Sequence, residues 1–310
     1  MASIAQPQKS NSPPSTQVRR ALARPQFWFG LAVFIPFLAW YVVFFFRPVI
    51  LGFWMAITDY NLLNPAETSF VGLDNFRAVF EYERFWIALK NTLIYGALTY
   101  LLTMPAALLV AWAIVSVKRG RRFYEFVVFL PVVVSLVAIS LLFRMLMNPE
   151  IGVFNQLLET LGLPTSRWVD GSGSALLSVV LVDVWKGLGF YVVLFSTAML
   201  NVPEALYDAA RVDGADGPQL FRHVTLPSIT NTLLLVSVIV VVNALQVYVS
   251  VTILGPGPGT STLVLNQFII AEAFNSWQFG VATAASLVLF VIILGITLVQ
   301  LRVLRPQGEE

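Results

Sequence analysis

Residues 93–117 read LIYGALTYLLTMPAALLVAWAIVSV, a run of twenty-five residues without a charged side chain. A helix needs about 20 mostly apolar residues to cross the hydrocarbon core of a bilayer, which is about 30 Å thick. Because lipid offers no hydrogen-bond partners, the backbone of such a run must pair within itself, which favours a helix. The run therefore predicts a transmembrane helix, with a kink at Pro105.

Five other stretches have the same character, and together they predict six crossings: Phe27 to Phe46, Phe126 to Phe143, Ala175 to Leu200, Thr232 to Leu254 and Gly280 to Leu301. The composition agrees, because only 12% of the residues are charged and 57% are hydrophobic. Soluble domains carry about 25% charged residues. The alternation typical of a β-barrel strand is absent. We predict an all-α integral membrane protein, with a six-helix domain over residues 27–303.

Several functions are excluded by composition. With no cysteine and only one histidine, His223, the chain has no thiolate or multi-histidine metal site. A net charge of +2 does not suggest nucleic-acid binding. No P-loop motif occurs, so we expect no bound cofactor and no ATP hydrolysis by this chain. Residues 1–26 are polar and lack a cleavage site, which predicts a disordered cytoplasmic tail; residues 304–310 predict a second one.

Basic residues predict the orientation, because cytoplasmic loops of membrane proteins are enriched in Lys and Arg. Six crossings place both termini on one side, and that side carries twelve Lys and Arg residues against six on the other. Both termini and residues 201–231 are therefore predicted to be cytoplasmic.

The loop 201–227 reads NVPEALYDAARVDGADGPQLFRHVTLP. Asn201 before Pro203 and Glu204 predicts a helix start. Gly214 and Gly217 predict the end of this helix and permit a positive φ, and Pro218 predicts the start of a second short helix. Small residues on the turn would let another protein approach closely, so the loop could be a stiff docking site. An amphipathic helix resting on lipid headgroups is the alternative.

The loop resembles the "EAA" loop of binding-protein-dependent ABC transporter permeases: Asp208-Ala209-Ala210 stands for E-A-A, followed by Gly214 and by Leu226-Pro227. FVGLDNF at 70–76, Asn91-Thr92 and WKGLGFY at 185–191 resemble the carbohydrate-uptake branch, of the maltose and glycerol-phosphate type. Three features depart from the family pattern: Asp208 replaces Glu, residues 228–231 lack a second proline, and 254–259 read LGPGPG in place of Thr-Gly-Gly-Pro.

This resemblance implies an importer complex in the bacterial or archaeal inner membrane. Two homologous permeases would form the path, separate ATPase subunits would bind ATP and Mg, and a periplasmic or extracellular solute-binding protein would deliver a sugar or related polyol. It implies that the ATPase contacts Glu204, Tyr207, Asp208, Ala209, Ala210, Asp213, Gly214, Ala215, Phe221, Leu226 and Pro227.

Polar residues within a span usually face a cavity or another helix. In the fifth span Asn243, Gln246 and Ser250 share a helical stripe near Tyr248, and their amides and aromatic ring suit a sugar. They either line the substrate path or bond between helices. In the fourth span, Asp183 and Lys186 predict a structural ion pair. Arg144 is expected to reach the headgroups, and His223 to be a hydrogen-bonding loop residue.

Two other functions compete. A secondary transporter would favour inverted repeats and broken helices near the bilayer midplane, which the sequence does not suggest. A membrane-embedded enzyme would need clustered catalytic groups, which a chain with one histidine and two ionisable residues within its spans does not supply.

Overall fold

The computed structural model describes residues 25–62, 64–117, 119–255 and 257–304. The predicted tails lie outside these residues, except that Pro25 and Gln26 belong to the first helix and Leu304 follows the last one. The chain divides into two compact units, residues 1–54 and 55–310.

The first unit contains the first predicted span. Helix α1 (Pro25–Tyr41) continues through one π-helical segment (Val42–Phe46) into α2 (Arg47–Ala56). The helix therefore extends ten residues beyond the predicted end at Phe46. Stacked aromatic rings follow its surface, with Tyr41 and Phe45 centroids 4.9 Å apart. Residues 28–56 are long and apolar enough to cross a bilayer.

The second unit is also mainly helical in its described part. Its helices are α3 (Asp74–Glu81), α4 (Glu83–Ser116), α5 (Arg121–Val133), α6 (Leu136–Leu146), α7 (Val153–Thr160), α8 (Ala175–Leu200), α9 (Glu204–Val212), α10 (Gly217–Leu220), α11 (Leu226–Ser228), α12 (Thr230–Leu245), α13 (Val249–Leu254), α14 (Leu265–Phe274) and α15 (Phe279–Val303). Strands β1 (Thr58–Asp59) and β2 (Ser69–Phe70) pair antiparallel.

Among the described residues, four continuous helices could cross a membrane by length and composition: residues 28–56, α4, α8 and α15. The observed bounds of α8 match the predicted fourth span, and α15 exceeds the predicted sixth span by one residue at its start and two at its end. Helix α4 begins ten residues before the second predicted span and continues through Pro105 without a break. Two bent helix pairs raise the number of candidate spans to six.

The prediction of a single continuous third span is wrong. Helices α5 and α6 meet at an angle of 92°, and Val134 and Ser135 between them are extended, with ψ of 141° and 131°. Pro131 weakens the last turn of α5, because proline has no backbone N–H to donate.

The fifth predicted span is also interrupted. Helix α12 ends at Leu245 and α13 starts at Val249, so Gln246, Val247 and Tyr248 are not helical. The amide group of Asn266 donates to the carbonyl oxygen of Gln246 at 2.7 Å. Irregular backbone at membrane depth is tolerated where other groups satisfy it or where it lines a cavity. A second bend, of 77°, separates residues 217–228 from α12.

Glycines allow the closest helix contacts in the core. A Cβ on Gly96 of α4 would lie 2.8 Å from the side chain of Leu245, and one on Gly189 of α8 would lie 2.8 Å from the Cα of Phe129 in α5. Buried side chains of α4, α8 and α12, including Tyr95, Phe195 and Val240, fill the space between these helices.

Two of the sequence motifs hold loops between helices. Asn75 donates to the carbonyl oxygens of Ala56 and Thr58, at 3.0 and 2.9 Å, and so fixes the end of α2. Asn91 donates to the carbonyl oxygens of Thr260 and Leu263, at 2.9 and 3.0 Å. Both asparagine side chains donate to backbone carbonyl oxygens in loops, which gives a physical reason for an amide at these positions of the motifs.

Candidate functional site: an exposed loop and a polar cavity

The loop after α8 forms two short helices joined by a tight turn. Helix α9 begins at Glu204, whereas Asn201, predicted to start it, instead follows the end of α8. Gly214 has a φ of +85°, as predicted. Gly217 does not adopt the positive φ that glycine permits; it is the first residue of α10, whose N-cap is Asp216.

Side-chain contacts hold this loop against the helices beneath it. The hydroxyls of Tyr207 and Thr225 lie 3.0 Å apart, which joins α9 to the π-helical segment Phe221–Thr225. The ring of Phe221 packs on Trp112 of α4, with centroids 5.2 Å apart. Asp216 and Gln219 form a reciprocal capping box. Tyr207 and Phe221 therefore stiffen the loop from within.

The loop surface exposes apolar side chains as well as charges. Asp208 pairs with Arg211 at 2.8 Å on the surface. Val212 is 88% exposed and Leu206 is 48% exposed. The other predicted contact residues are exposed or half-buried: Glu204, Ala209, Ala210, Asp213, Gly214, Ala215, Leu226 and Pro227. Sequence reasoning missed Val212 and Leu206, because a single valine or leucine within a short helix carries no distinctive signal.

Within this loop, His223 forms a local hydrogen bond, as predicted. Its Nδ1 lies 3.1 Å from the carbonyl oxygen of Gln219, one turn earlier. Arg144, at the end of α6, is exposed, and its guanidinium would lie 3.3 Å from a Cβ built on Gly255. The described residues contain no group of three or more His, Asp or Glu side chains that could hold a metal ion.

A polar cavity of about 340 Å³ lies between α4, α8 and the interrupted fifth span. All four predicted path residues, Asn243, Gln246, Tyr248 and Ser250, line it. Sequence reasoning missed the tyrosines Tyr95 and Tyr191 and the threonines Thr99 and Thr103, which line it as well. Their hydroxyls belong to residue types that are also common in the apolar interior of spans.

The predicted helical stripe does not exist as such, because the break at 246–248 separates Asn243 from Ser250. The side chains of Asn243 and Gln246 are exposed to the cavity, and that of Tyr248 is half-buried. Ser250 is only 1% exposed and donates to a carboxylate oxygen of Asp183. Asn243 donates to the hydroxyl of Tyr191 at 3.4 Å. The structure thus shows bonding between helices for Asn243 and Ser250.

The predicted ion pair between Asp183 and Lys186 is wrong. Among the described residues, neither side chain forms an ion pair. Asp183 accepts hydrogen bonds from the hydroxyls of Tyr95 and Ser250. Lys186 donates to the carbonyl oxygen of Val132 at 3.4 Å. Each of the two side chains instead forms hydrogen bonds with a partner on a neighbouring helix.

Comparison with known proteins agrees with this architecture. Residues 103–305 match the family model described as "Binding-protein-dependent transport system inner membrane component". The chain is 34% identical to the diacetylchitobiose uptake system permease protein NgcF of Streptomyces coelicolor over 89% of this chain and 82% of that one. It is 32% identical to the probable ABC transporter permease protein YurN of Bacillus subtilis over 87% and 94% of the two chains.

A solved structure shares the fold along nearly the whole chain. A chain from the crystal structure of a bacterial ABC transporter involved in the import of the acidic polysaccharide alginate superimposes with a TM-score of 0.81 at 27% identity, covering 95% of this chain and 99% of that one. A second crystal structure, of a bacterial alginate ABC transporter with its pentasaccharide-bound periplasmic protein, gives a TM-score of 0.80 at 27% identity, over 94% and 97%. The chain therefore belongs to the binding-protein-dependent inner membrane permeases of ABC importers.

Proposed function

We propose that this protein is the permease subunit of an importer for a sugar, polyol or sugar phosphate. A second, homologous permease completes the path through the membrane, and a solute-binding protein delivers the substrate. Separate ATPase subunits bind ATP and Mg and hydrolyse the nucleotide, so this chain is not an enzyme. The names of the relatives, which include a diacetylchitobiose uptake permease, support the substrate class.

The observation that carries this proposal is the stiff loop after α8. Its helices are fastened from below by Tyr207 and Phe221, while its outer surface exposes Val212 beside the positive-φ turn at Gly214. A fastened loop moves as a rigid body, so closure of an ATPase dimer would tilt the attached helices.

The polar cavity supports the substrate class. Asn243 and Gln246 present amides that both donate and accept, and Tyr248 adds an aromatic ring. Sugars combine hydroxyl groups with apolar ring faces, which such a set recognises. The cavity volume lies at the lower end of the range for ligand pockets, about 300–1,000 Å³.

The orientation follows from the same proposal. Docking of a cytoplasmic ATPase requires residues 201–231 and both termini to face the cytoplasm. The distribution of Lys and Arg supports this side. A thiol added to the exposed end of α9, at Val212, would react with a membrane-impermeant reagent from the cytoplasmic side only; reaction from the outside would contradict the orientation.

The docking role is tested by replacing Gly214 with tryptophan. The complete complex, with its second permease, ATPase and binding protein, is reconstituted in lipid. We expect the Gly214→Trp variant to lose ATPase stimulation by the loaded binding protein while its helical content is retained. Gly162→Trp is the matched control, because Gly162 also has positive φ (+68°) and open space around it, but lies outside this loop. Normal coupling in Gly214→Trp would refute the docking role.

The substrate role needs a separate assay. Uptake of a labelled oligosaccharide into proteoliposomes should require ATP on the ATPase side, and Asn243→Ala with Gln246→Ala should lower it at least about tenfold. Gln156→Ala, in the exposed helix α7, should leave it unchanged. Uptake driven by an ion gradient without ATP would favour a secondary transporter instead.

A further inference from the structure

Two ionisable side chains of α8 remain without a part in transport, although charge within a span is costly. Asp183 and Lys186 lie one helical turn apart and both line the polar cavity. They do not form a direct ion pair. Each is bonded instead to a different neighbouring element, and both of those elements adjoin a break in a membrane helix.

Asp183 bonds next to the break in the fifth span. Ser250, which donates to its carboxylate, is the second residue of α13, directly after the irregular residues 246–248. Tyr95 of α4 donates to the same carboxylate oxygen and is 1% exposed. The carboxylate therefore ties the restarted helix α13 to both α4 and α8. This position also fixes Tyr248, two residues before Ser250, at the cavity wall.

Lys186 bonds next to the break in the third span. Val132, whose carbonyl oxygen it contacts, lies in the last turn of α5, where backbone carbonyls lack partners within the helix. A cation is favourable at this end of a helix. Gly189, one turn further along α8, allows the α5 backbone to approach at Val128 and Phe129, and this approach brings the ammonium group within reach of Val132.

We propose that Asp183 and Lys186 are positioning residues that hold the two broken spans in the arrangement that shapes the substrate cavity. The inference rests on the proposed function, because the cavity is taken as part of the substrate path. Helix α8 also leads directly into the loop 201–227, whose first helix, α9, begins four residues after α8 ends. Displacement of the loop therefore reaches both breaks through one helix.

The test measures amide hydrogen exchange by mass spectrometry on the assembled complex in lipid, without substrate. Asp183→Leu should raise exchange in residues 247–254 about tenfold or more, since a hydrogen bond to a charged group is lost, and leave residues 131–137 unchanged. Lys186→Met should raise exchange in residues 131–137 and leave residues 247–254 unchanged. Asp183→Asn and Lys186→Arg keep a bonding group of similar shape and should stay within about threefold of wild type.

This crosswise pattern separates positioning from general destabilisation. If either replacement accelerates exchange in both segments alike, or in neither, the assignment is overturned. The conservative variants keep the test decisive should Asp183→Leu or Lys186→Met fail to assemble. If Asp183→Asn raises exchange in residues 247–254 by more than about threefold, or Lys186→Arg does so in residues 131–137, the assignment fails. If the wild-type complex took up no sugar, the proposed function would be contradicted, but this exchange pattern would not be affected.

Discussion

Replacing Gly189 with alanine tests a close contact between α8 and α5. A Cβ at this position would lie 2.8 Å from both the carbonyl carbon of Val128 and the Cα of Phe129, whereas ordinary contact begins at 3.4 Å. The atoms in the way are backbone atoms of α5, so no side-chain rotation relieves the overlap. Helices α5 and α8 would have to separate.

The expected cost follows from overpacking. Inserting a methyl group into a tight core costs about 1–3 kcal/mol, and the helix propensity of alanine returns at most about 1 kcal/mol. The net loss of unfolding free energy is then about 0–3 kcal/mol against wild type, and about 1–3 kcal/mol against a Gly→Ala variant that gains the same helix propensity without overlap. Separation of the helices would also lengthen the 3.4 Å contact between Lys186 and Val132, so local exchange should rise at the end of α5.

The assay is unfolding of the purified protein in mixed micelles, followed by loss of helical circular dichroism. Gly295→Ala is the matched control, because Gly295 lies within α15 and a Cβ there would meet nothing within 4 Å. We expect the control to be as stable as wild type or slightly more stable. Equal stability of the Gly189→Ala variant and this control would refute the contact and the geometry built on it.

Three further predictions concern the loops. Val212→Asp should leave thermal stability unchanged, because the side chain is exposed, but reduce co-purification of the ATPase at least about tenfold; Ile151→Asp, 75% exposed on the other predicted side, should not. Asn91→Ala should lower the unfolding free energy by about 1–3 kcal/mol, since two side-chain hydrogen bonds to loop carbonyls are lost, and unchanged chemical denaturation would contradict this. Tyr207→Phe should lower the unfolding free energy by about 0.5–1.5 kcal/mol, because the hydrogen bond to Thr225 is lost. It should also weaken ATPase stimulation more than ATPase binding, which titration of the ATPase subunit would measure.

The number and approximate places of the membrane helices could be predicted from the sequence, because burial in lipid imposes a length and an apolar composition. The bounds of α8 match the prediction since Ser174 and Asn201 mark both ends in polar sequence. The extension of α4 to Glu83 was missed. Its first ten residues include three charged and two aromatic side chains and lie before the apolar run, yet they belong to the same helix.

The two breaks within spans could not be predicted by the same reasoning. Val134 is apolar and Ser135 is small, so the hydropathy of the third span hardly changes at its bend. Whether a break is tolerated depends on partners for the freed backbone groups, and these come from distant sequence. Asn266 supplies one for Gln246, and Lys186 supplies one for Val132. A local pattern contains no information on such partners.

The candidate site was predictable to a similar extent. Asn243 and Gln246 were found because amides are conspicuous within an apolar span, and the structure places both at the cavity. Tyr95 and Tyr191 were missed because a tyrosine in a span is equally common in packing between helices. Only the fold, which brings α4, α8 and α12 together, shows that their hydroxyls face the same space.

The breaks also change how the rival function is judged. Continuous spans were expected to argue against a secondary transporter, but the third and fifth spans are interrupted, so that argument is lost. Broken helices arise in any transporter that needs backbone flexibility around a polar cavity. What distinguishes an ATP-driven permease is the means of moving them from outside the bilayer. Here α8 joins the exposed loop at one end to Asp183 and Lys186 in its middle, and these bond beside both breaks. A secondary transporter would couple its movement through charge at the cavity itself, whereas the function proposed above couples it through one helix, α8, which leads to the loop proposed to contact the ATPase.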